Sequence, residues 1–94
     1  YQPMGHAHLL SAVLEHGYDL QAACDAPRYM PVDGQVEVES GMDAGTCEDL
    51  RAWGHDLVPA PHALGGAQII QIDWENGVLS GGSDPRKDGS ALGY

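Results

Sequence analysis

Basic residues are scarce in this chain: its 94 residues contain four Lys and Arg against fourteen Asp and Glu, a formal charge of −10. Nucleic acids and anionic membrane surfaces are bound by clustered Lys and Arg. The adjacent pair Arg86-Lys87 lies between Asp84 and Asp88. We therefore expect neither nucleic acid nor a membrane as a partner. The sequence also lacks a run of about 20 apolar residues, the length that a membrane-spanning helix needs.

Phenylalanine is absent, and cysteine occurs only twice. Two cysteines cannot build a disulfide framework, and Cys24 and Cys47 form no CxxC motif. We expect both to be free, partly buried thiols. Packing then falls to Leu, Val, Ile, Met and two Trp, so the hydrophobic core must be small.

Internal repeats and low-complexity linkers are lacking too, and 94 residues make one domain or part of one. We therefore predict a single domain over residues 1–94. The first residues do not resemble a signal peptide, but a chain that begins within a longer protein would not show one. The compartment is thus left open.

Helical spacing of apolar residues predicts three short helices, at residues 4–16, 20–25 and 47–53. Pro3 suits the first turn of the first helix, and Gly17 supplies its end. The helices are joined by segments rich in Gly and Pro, which favours a fold with many turns.

Two helix starts carry capping signals. Asp19 is predicted to cap the second helix, because an aspartate side chain accepts a hydrogen bond from an amide of the first turn. Thr46 followed by Asp49 resembles a capping box and is predicted to start the third helix.

Extended segments are predicted at residues 35–40, 55–58, 68–72 and 78–80, where β-prone residues occur in short runs. The sequence Glu75-Asn76-Gly77 is a strong turn signal, so the last two strands should form an antiparallel hairpin. Helices followed by and mixed with strands predict an α+β fold.

The residues able to do chemistry form no metal or catalytic motif. His6 and His8 are about 200° apart around a helix and cannot bind one ion there. No Cys/His spacing motif occurs, so we expect no metal and no cofactor. Ser83, His62 and Asp84 can be combined on paper into a catalytic triad, but no GxSxG elbow frames the serine.

The glycine-rich segment Gly81-Gly82-Ser83 suggests a phosphate site, which the following residues argue against. Asp84 has the wrong charge, and Pro85 lacks the amide that would donate to a phosphate. Residues 84–89 are better explained as a turn. Either ion pairs stabilise that turn, with Arg86 binding a carboxylate through a bidentate pair of hydrogen bonds, or the turn is solvated and contributes little stability.

Four short segments, spread over nearly the whole chain, form an ordered set. They are Gln2-Pro3-Met4-Gly5-His6, Asp25-Ala26-Pro27-Arg28, Gly65-Gly66-Ala67-Gln68 and Gly81-Gly82-Ser83-Asp84-Pro85-Arg86-Lys87-Asp88-Gly89. A strand-like segment at 36–39 and a helix-glycine-histidine segment at 50–55 lie between them. Together with the final Gly-Tyr, the set resembles the γ-glutamyltransferase family.

The resemblance implies part of an N-terminal-nucleophile hydrolase with an αββα sandwich, mainly antiparallel sheet and two to three helices. In that family one precursor cleaves itself into a large and a small subunit. A threonine that heads the small subunit attacks γ-glutamyl donors such as glutathione, and some relatives act as cephalosporin acylases. The resemblance places residues 1–94 in the C-terminal part of the small subunit, downstream of the nucleophile.

The resemblance assigns no catalytic or substrate-binding residue to this chain. Residue 1 is Tyr1, and Thr46 is the only threonine. What the matched positions do suggest is structural ion pairs made by Arg28 and Arg86. Their partners are expected to be Asp25, Asp88 or carboxylates outside the chain.

Two interpretations of the chain remain at this point. It is either part of a γ-glutamyltransferase-like enzyme, inactive alone, or a binding or assembly module that kept the fold without the chemistry. The first implies three partners: a large subunit, the remainder of the small subunit, and a small-molecule γ-glutamyl substrate. Separated from them, the chain is expected to self-associate, because strands of a divided sandwich expose apolar surface and sheet edges.

Overall fold

The computed structural model of the chain describes residues 1–93. Tyr94, the last residue of the C-terminal signature, lies outside them. The described residues form three helices and five strands. In chain order these are α1 (Gln2–Leu14), α2 (Leu20–Asp25), β1 (Tyr29–Val32), β2 (Gln35–Val38), α3 (Ala44–Ala52), β3 (Leu57–Pro59), β4 (Gln68–Asp73) and β5 (Val78–Ser83). The α+β class predicted from the sequence is confirmed.

Contacts divide the chain into two compact units. Unit 1 comprises Tyr1 and Pro27–Leu64, and unit 2 comprises Gln2–Ala26 and the chain from Gly65 on. The single domain expected for residues 1–94 stays a prediction.

Unit 1 is a three-stranded sheet in the order β1-β2-β3, accompanied by α3. β1 and β2 pair antiparallel, with Val32 opposite Gln35, and β2 pairs with β3 in parallel. β1 was not predicted from the sequence. Its signal is the two-residue turn Asp33-Gly34, whose φ angles of 50° and 82° suit a tight hairpin.

The start of α3 differs from the prediction. The N-cap is Asp43, whose side chain accepts from the Thr46 backbone amide at 2.9 Å and from the Thr46 hydroxyl at 3.3 Å. The assignment of Thr46 as the cap was therefore wrong. Aspartate three residues before Thr46 supplies the stronger acceptor, and the threonine becomes a residue of the first turn.

Unit 2 packs α1 and α2 against the β4–β5 hairpin. The buried residues Leu9, Ala12, Ala23 and Cys24 form its core, with Val13, Ala67 and Ile69 packed against them. Neither cysteine forms a disulfide among the described residues; Cys24 is buried, more deeply than expected, and Cys47 is partly buried. The predicted antiparallel hairpin is confirmed, with Ile72 opposite Leu79.

The boundaries of unit 2 differ from the prediction at two places. α1 begins and ends about two residues earlier than predicted, although Gly17, at a φ of 69°, does follow it. α2 starts with Asp19 as the predicted cap, which accepts from the Ala22 amide at 2.7 Å. β5 extends to Ser83, beyond the predicted end at residue 80, because Gly81, Gly82 and Ser83 continue to pair with β4. The low strand preference of glycine concealed this extension in the sequence.

Candidate functional site

The C-terminal turn of unit 2 is built around a buried carboxylate. Asp84 follows β5 directly and is 1% exposed. One of its oxygens accepts from the Ala67 amide at 2.9 Å, and the other accepts from the Arg86 amide at 2.9 Å. Buried carboxylates need such partners, because an ionised group without them is costly to desolvate. Asp84 therefore ties the turn to the chain just before β4.

Arg86 completes this arrangement with both arms of its guanidinium group. Nη1 lies 3.0 Å from the Asp84 carboxylate and donates to the Cys24 carbonyl at 2.7 Å, while Nη2 donates to the Ala26 carbonyl at 2.9 Å. The last carbonyls of a helix lack partners within the helix and carry partial negative charge. Arg86 satisfies such carbonyls at the end of α2. We call Asp84, Arg86 and the end of α2 the C-terminal clip.

Gln21 adds a second connection between α2 and β5. Its side chain donates to the Ser83 carbonyl at 2.8 Å and accepts from the Ser83 amide at 3.1 Å. A single amide side chain thus continues the sheet's hydrogen bonding at the end of β5. The same side chain also donates to Asp25 at 2.9 Å.

The residues that follow the clip lie closely against glycines. A Cβ atom at Gly66 would be 2.5 Å from Lys87 Cγ, and one at Gly81 would be 3.2 Å from Ala91 Cβ. Gly89 itself is fitted closely, because a Cβ there would lie 2.8 Å from Ser83 Oγ. The glycines of the matched segments therefore allow the C-terminal residues to approach the hairpin.

The residues expected to form ion pairs occupy different surroundings. Arg86 pairs with Asp84 rather than with Asp25 or Asp88: Asp25 accepts from Gln21, and Asp88 is exposed. Arg28 belongs to unit 1, is 3% exposed and donates to the Leu64 carbonyl at 2.9 Å. The structural roles proposed for these residues from the sequence stay predictions.

Glu39 is a structural residue of unit 1 that the sequence analysis did not single out. Its carboxylate accepts from the Arg28 amide at 2.8 Å and from the Leu64 amide at 3.1 Å. Glu39 thereby joins the segments around Arg28 and Leu64, which the hydrogen bond from the Arg28 side chain to the Leu64 carbonyl also connects. The extended segment predicted at residues 35–40 does not indicate this role, because both amide partners are distant in the sequence.

The hydroxyl groups of Ser83 and Thr46 lie in different surroundings within residues 1–93. Ser83 Oγ is buried without a hydrogen-bond partner, and the Asp84 carboxylate is occupied by amides and a guanidinium. The Thr46 hydroxyl takes part in capping α3. No three His, Cys, Asp or Glu side chains among these residues are placed to hold a metal ion. Among the helices described, none has the length and apolar character to cross a bilayer.

Known structures identify the fold as an α+β portion of an N-terminal-nucleophile hydrolase. The crystal structure of cephalosporin acylase from Bacillus halodurans matches this chain with a TM-score of 0.88 at 35% identity. The match covers 98% of this chain and 18% of the acylase chain. The gamma-glutamyltranspeptidase from Pseudomonas nitroreducens matches with a TM-score of 0.81 at 20% identity, a likeness of fold. The chain belongs to the gamma-glutamyltranspeptidase family, whose model matches residues 1–94.

Curated relatives agree with that family. The chain is 32% identical over 80 residues to the Acylase ACY 1 proenzyme of Pseudomonas sp. (strain SE83). The matched region covers 85% of this chain and 14% of the relative. The chain therefore spans well under a fifth of the length of this relative, which is named as a proenzyme.

Proposed function

We infer that the chain is the C-terminal part of the small subunit of a γ-glutamyltransferase-like enzyme that transfers or hydrolyses γ-glutamyl groups, with glutathione-type donors. The observation that carries the proposal is the family match over residues 1–94, the whole chain. The buried clip supports it, because the segment that suggested the family from sequence also ties together α2, β4 and β5. The partners are then a large subunit and the rest of the small subunit.

The chemistry proposed for the parent enzyme follows the pattern of an N-terminal threonine nucleophile. The threonine hydroxyl attacks the γ-glutamyl carbonyl, its own α-amine takes the proton, and the donor's amine leaves with a proton. Water or an acceptor amine then attacks the acyl-enzyme and releases the threonine. We place that threonine upstream of Tyr1. Thr46 is no substitute, because its hydroxyl is engaged with Asp43 on the first turn of α3.

The role of this chain in that reaction is to hold structure around the reacting groups. The proposal assigns no residue from 1 to 94 to bond making or breaking. Arg28 and Arg86 keep the subunit's elements in register through hydrogen bonds to carbonyls, buried for Arg28 and partly buried for Arg86. Removing either should therefore impair folding or precursor cleavage before it alters the chemical step.

Acylase activity is the second candidate, and two matches favour it. They are the Acylase ACY 1 proenzyme at 32% identity and the cephalosporin acylase structure at 35% identity. The same threonine chemistry would then cleave the side-chain amide of a cephalosporin in place of a γ-glutamyl amide. A module that retains the fold without any activity is the third interpretation.

The experiment expresses the complete natural reading frame that contains these residues and, in parallel, residues 1–94 alone. Both are assayed with a chromogenic γ-glutamyl anilide and with an N-acyl cephalosporin. We expect the complete protein to split into two subunits and to turn over the anilide, and residues 1–94 to turn over neither compound. Preference for the cephalosporin would assign the acylase function. An uncleaved, inactive complete protein would support the binding module.

A control is needed for the prediction that residues 1–94 are inactive alone. Ser83→Ala removes the buried hydroxyl that could be suspected of acting as a nucleophile. Turnover that copurifies with residues 1–94 and is lost in Ser83→Ala would overturn the placement of the nucleophile outside this chain.

A further inference from the structure

The turn between β4 and β5 holds an exposed Asn-Gly peptide in an ordered arrangement. Asp73, the last residue of β4, accepts through Oδ1 from the backbone amides of Glu75 at 3.1 Å and Asn76 at 3.2 Å. Its second oxygen, Oδ2, accepts from Nδ2 of the Asn76 side chain at 2.8 Å. Gly77 follows with a φ of 65°. Asn76 is thus held at both its backbone and its side chain by one carboxylate.

Asn-Gly peptides undergo a characteristic intramolecular reaction. After a solvent base removes the proton from the Gly77 nitrogen, that nitrogen forms a bond to Cγ of Asn76, and the Cγ–Nδ2 bond breaks to release ammonia. Water then opens the resulting succinimide at either carbonyl, which leaves an aspartyl or an isoaspartyl residue at position 76. The net change is the addition of water and the loss of ammonia. Glycine favours the reaction because it has no side chain to obstruct the attacking nitrogen.

We propose that Asn76-Gly77 is a deamidation site of this protein and that Asp73 controls its rate. Ring closure must rotate the Asn76 side chain and backbone until Cγ meets the Gly77 nitrogen. The hydrogen bonds to Asp73 fix those same torsions. An anion on the carboxamide hydrogen also makes the amide carbon a poorer electrophile. Asp73 therefore slows a reaction to which the exposed dipeptide is otherwise open.

The charge state that this control requires is present at neutral pH. The hydrogen bonds from Asn76, its side chain first and then its backbone amide, lower the pKa of the Asp73 carboxyl below its ordinary value. The carboxylate is ionised well below neutral pH, and both oxygens remain acceptors.

Deamidation of Asn76 would change the structure of the turn as well as the mass of the protein. The Nδ2 donor facing Asp73 at 2.8 Å is replaced by a carboxylate oxygen, so an attraction becomes a repulsion between like charges. The formal charge of −10 gains one further negative charge. An isoaspartyl product additionally lengthens the backbone within the turn. We expect the modified hairpin to lose order between Asp73 and Val78.

The experiment compares three forms of the natural full-length protein: wild type, Asp73→Ala and Glu75→Ala. Both substitutions remove one carboxylate from the same exposed turn, but the Glu75 side chain makes no hydrogen bond to Asn76 in the described structure. Each form is incubated at neutral pH, and conversion at position 76 is followed by peptide mapping with mass spectrometry. We expect Asp73→Ala to convert about 2- to 10-fold faster than wild type and Glu75→Ala, in line with the loss of ordinary hydrogen bonds.

Two further measurements keep the proposal open to refutation if Asp73→Ala disturbs folding. In denaturant all three forms should convert at one common rate, faster than native wild type. Asp73→Asn, which retains an acceptor for the backbone amides, should be intermediate in the native protein. Absence of conversion in denaturant, or equal native rates for Asp73→Ala and Glu75→Ala, would overturn the proposal.

Discussion

The side chain of Arg86 makes connections that depend on its shape. Its planar fork reaches Asp84, Cys24 O and Ala26 O at once, whereas lysine offers a single ammonium group. Arg86→Lys should cost about 1.5–3 kcal/mol of unfolding free energy, the worth of hydrogen bonds to a charged group. Arg86→Ala removes a cation facing the buried Asp84 carboxylate and should cost about 3–5 kcal/mol.

Denaturant unfolding of the chain measures both variants. Arg51→Ala is the matched control, since Arg51 lies exposed in the last turn of α3 and should shift stability by less than about 0.5 kcal/mol. In the complete protein, the ratio of the two subunit bands on a denaturing gel adds a second reading. Unchanged stability in Arg86→Ala would show that the clip is an ordinary surface turn.

Gly89 and Ser83 should be coupled, because a Cβ atom at Gly89 would lie 2.8 Å from Ser83 Oγ and 2.9 Å from Gln68 Nε2. Gly89→Ala alone should destabilise the chain by about 1–3 kcal/mol through overpacking. Ser83→Ala alone removes a buried hydroxyl without a partner and should be neutral or stabilising. The double variant should be more stable than the sum of the single effects by at least about 0.5 kcal/mol. Strict additivity in thermal or denaturant unfolding would contradict the contact.

At the scale of single residues, the sequence did not identify the partner of Arg86. Asp25 and Asp88 were the partners expected within the chain, whereas the structure places the Asp84 carboxylate 3.0 Å from Arg86 Nη1. The structural role of Arg86 stays a prediction. Glu39 could not be anticipated, because its two amide partners, Arg28 and Leu64, come together only through the fold of unit 1. Partners distant in sequence leave no local pattern.

The contact between α2 and β5 depends on the absence of a side chain at Gly82. A Cβ atom there would lie 3.0 Å from the Leu20 carbonyl group and 3.0 Å from Ile69 Cγ2. Backbone atoms of a helix cannot give way as a flexible side chain can, so Gly82→Ala should cost about 1–3 kcal/mol. Gly81→Ala on the same strand is the control. It would meet Ala91 Cβ at 3.2 Å, and the shorter shift it requires should cost less.

Thermal unfolding of the two glycine variants compares them directly. Equal melting temperatures would show that α2 does not rest on β5 as closely as the structure indicates. A larger loss in Gly82→Ala would identify this glycine as the position where helix and hairpin meet.

The elements themselves were largely predictable because most of them carry local signals. Asp19 indicated the start of α2, and the Asn-Gly turn indicated the β4–β5 hairpin. β1 was missed because Pro31 lies inside this four-residue strand, and proline within a short run argues against a strand. The turn Asp33-Gly34 that follows it is nevertheless a common hairpin turn. The parallel pairing of β2 with β3 has no sequence signal, since α3 and two connections intervene.

On the scale of the whole molecule, α1 and the β4–β5 hairpin each expose an apolar face. α1 carries no Asp, Glu, Lys or Arg and exposes Leu10 and Leu14 on the side away from its buried residues. Leucine side chains on the outer side of a helix are normally covered by another element. On the outer face of the hairpin, Ile70 is 72% exposed and Leu79 is 68% exposed. On the proposed function, we expect the remainder of the small subunit to cover these faces.

We therefore predict that residues 1–94, prepared alone, self-associate through exposed apolar surface. Light scattering over a concentration series should show a rising mean mass. Replacing Ile70 and Leu79 together by Thr should reduce this association, because both lie on the outer face of the hairpin and threonine retains β-strand preference. Gln71→Thr is the control, as it adds a residue of the same type on the opposite face. A monomer at every concentration with one cooperative melt would instead indicate a self-sufficient domain, and would favour the binding module over the enzyme part.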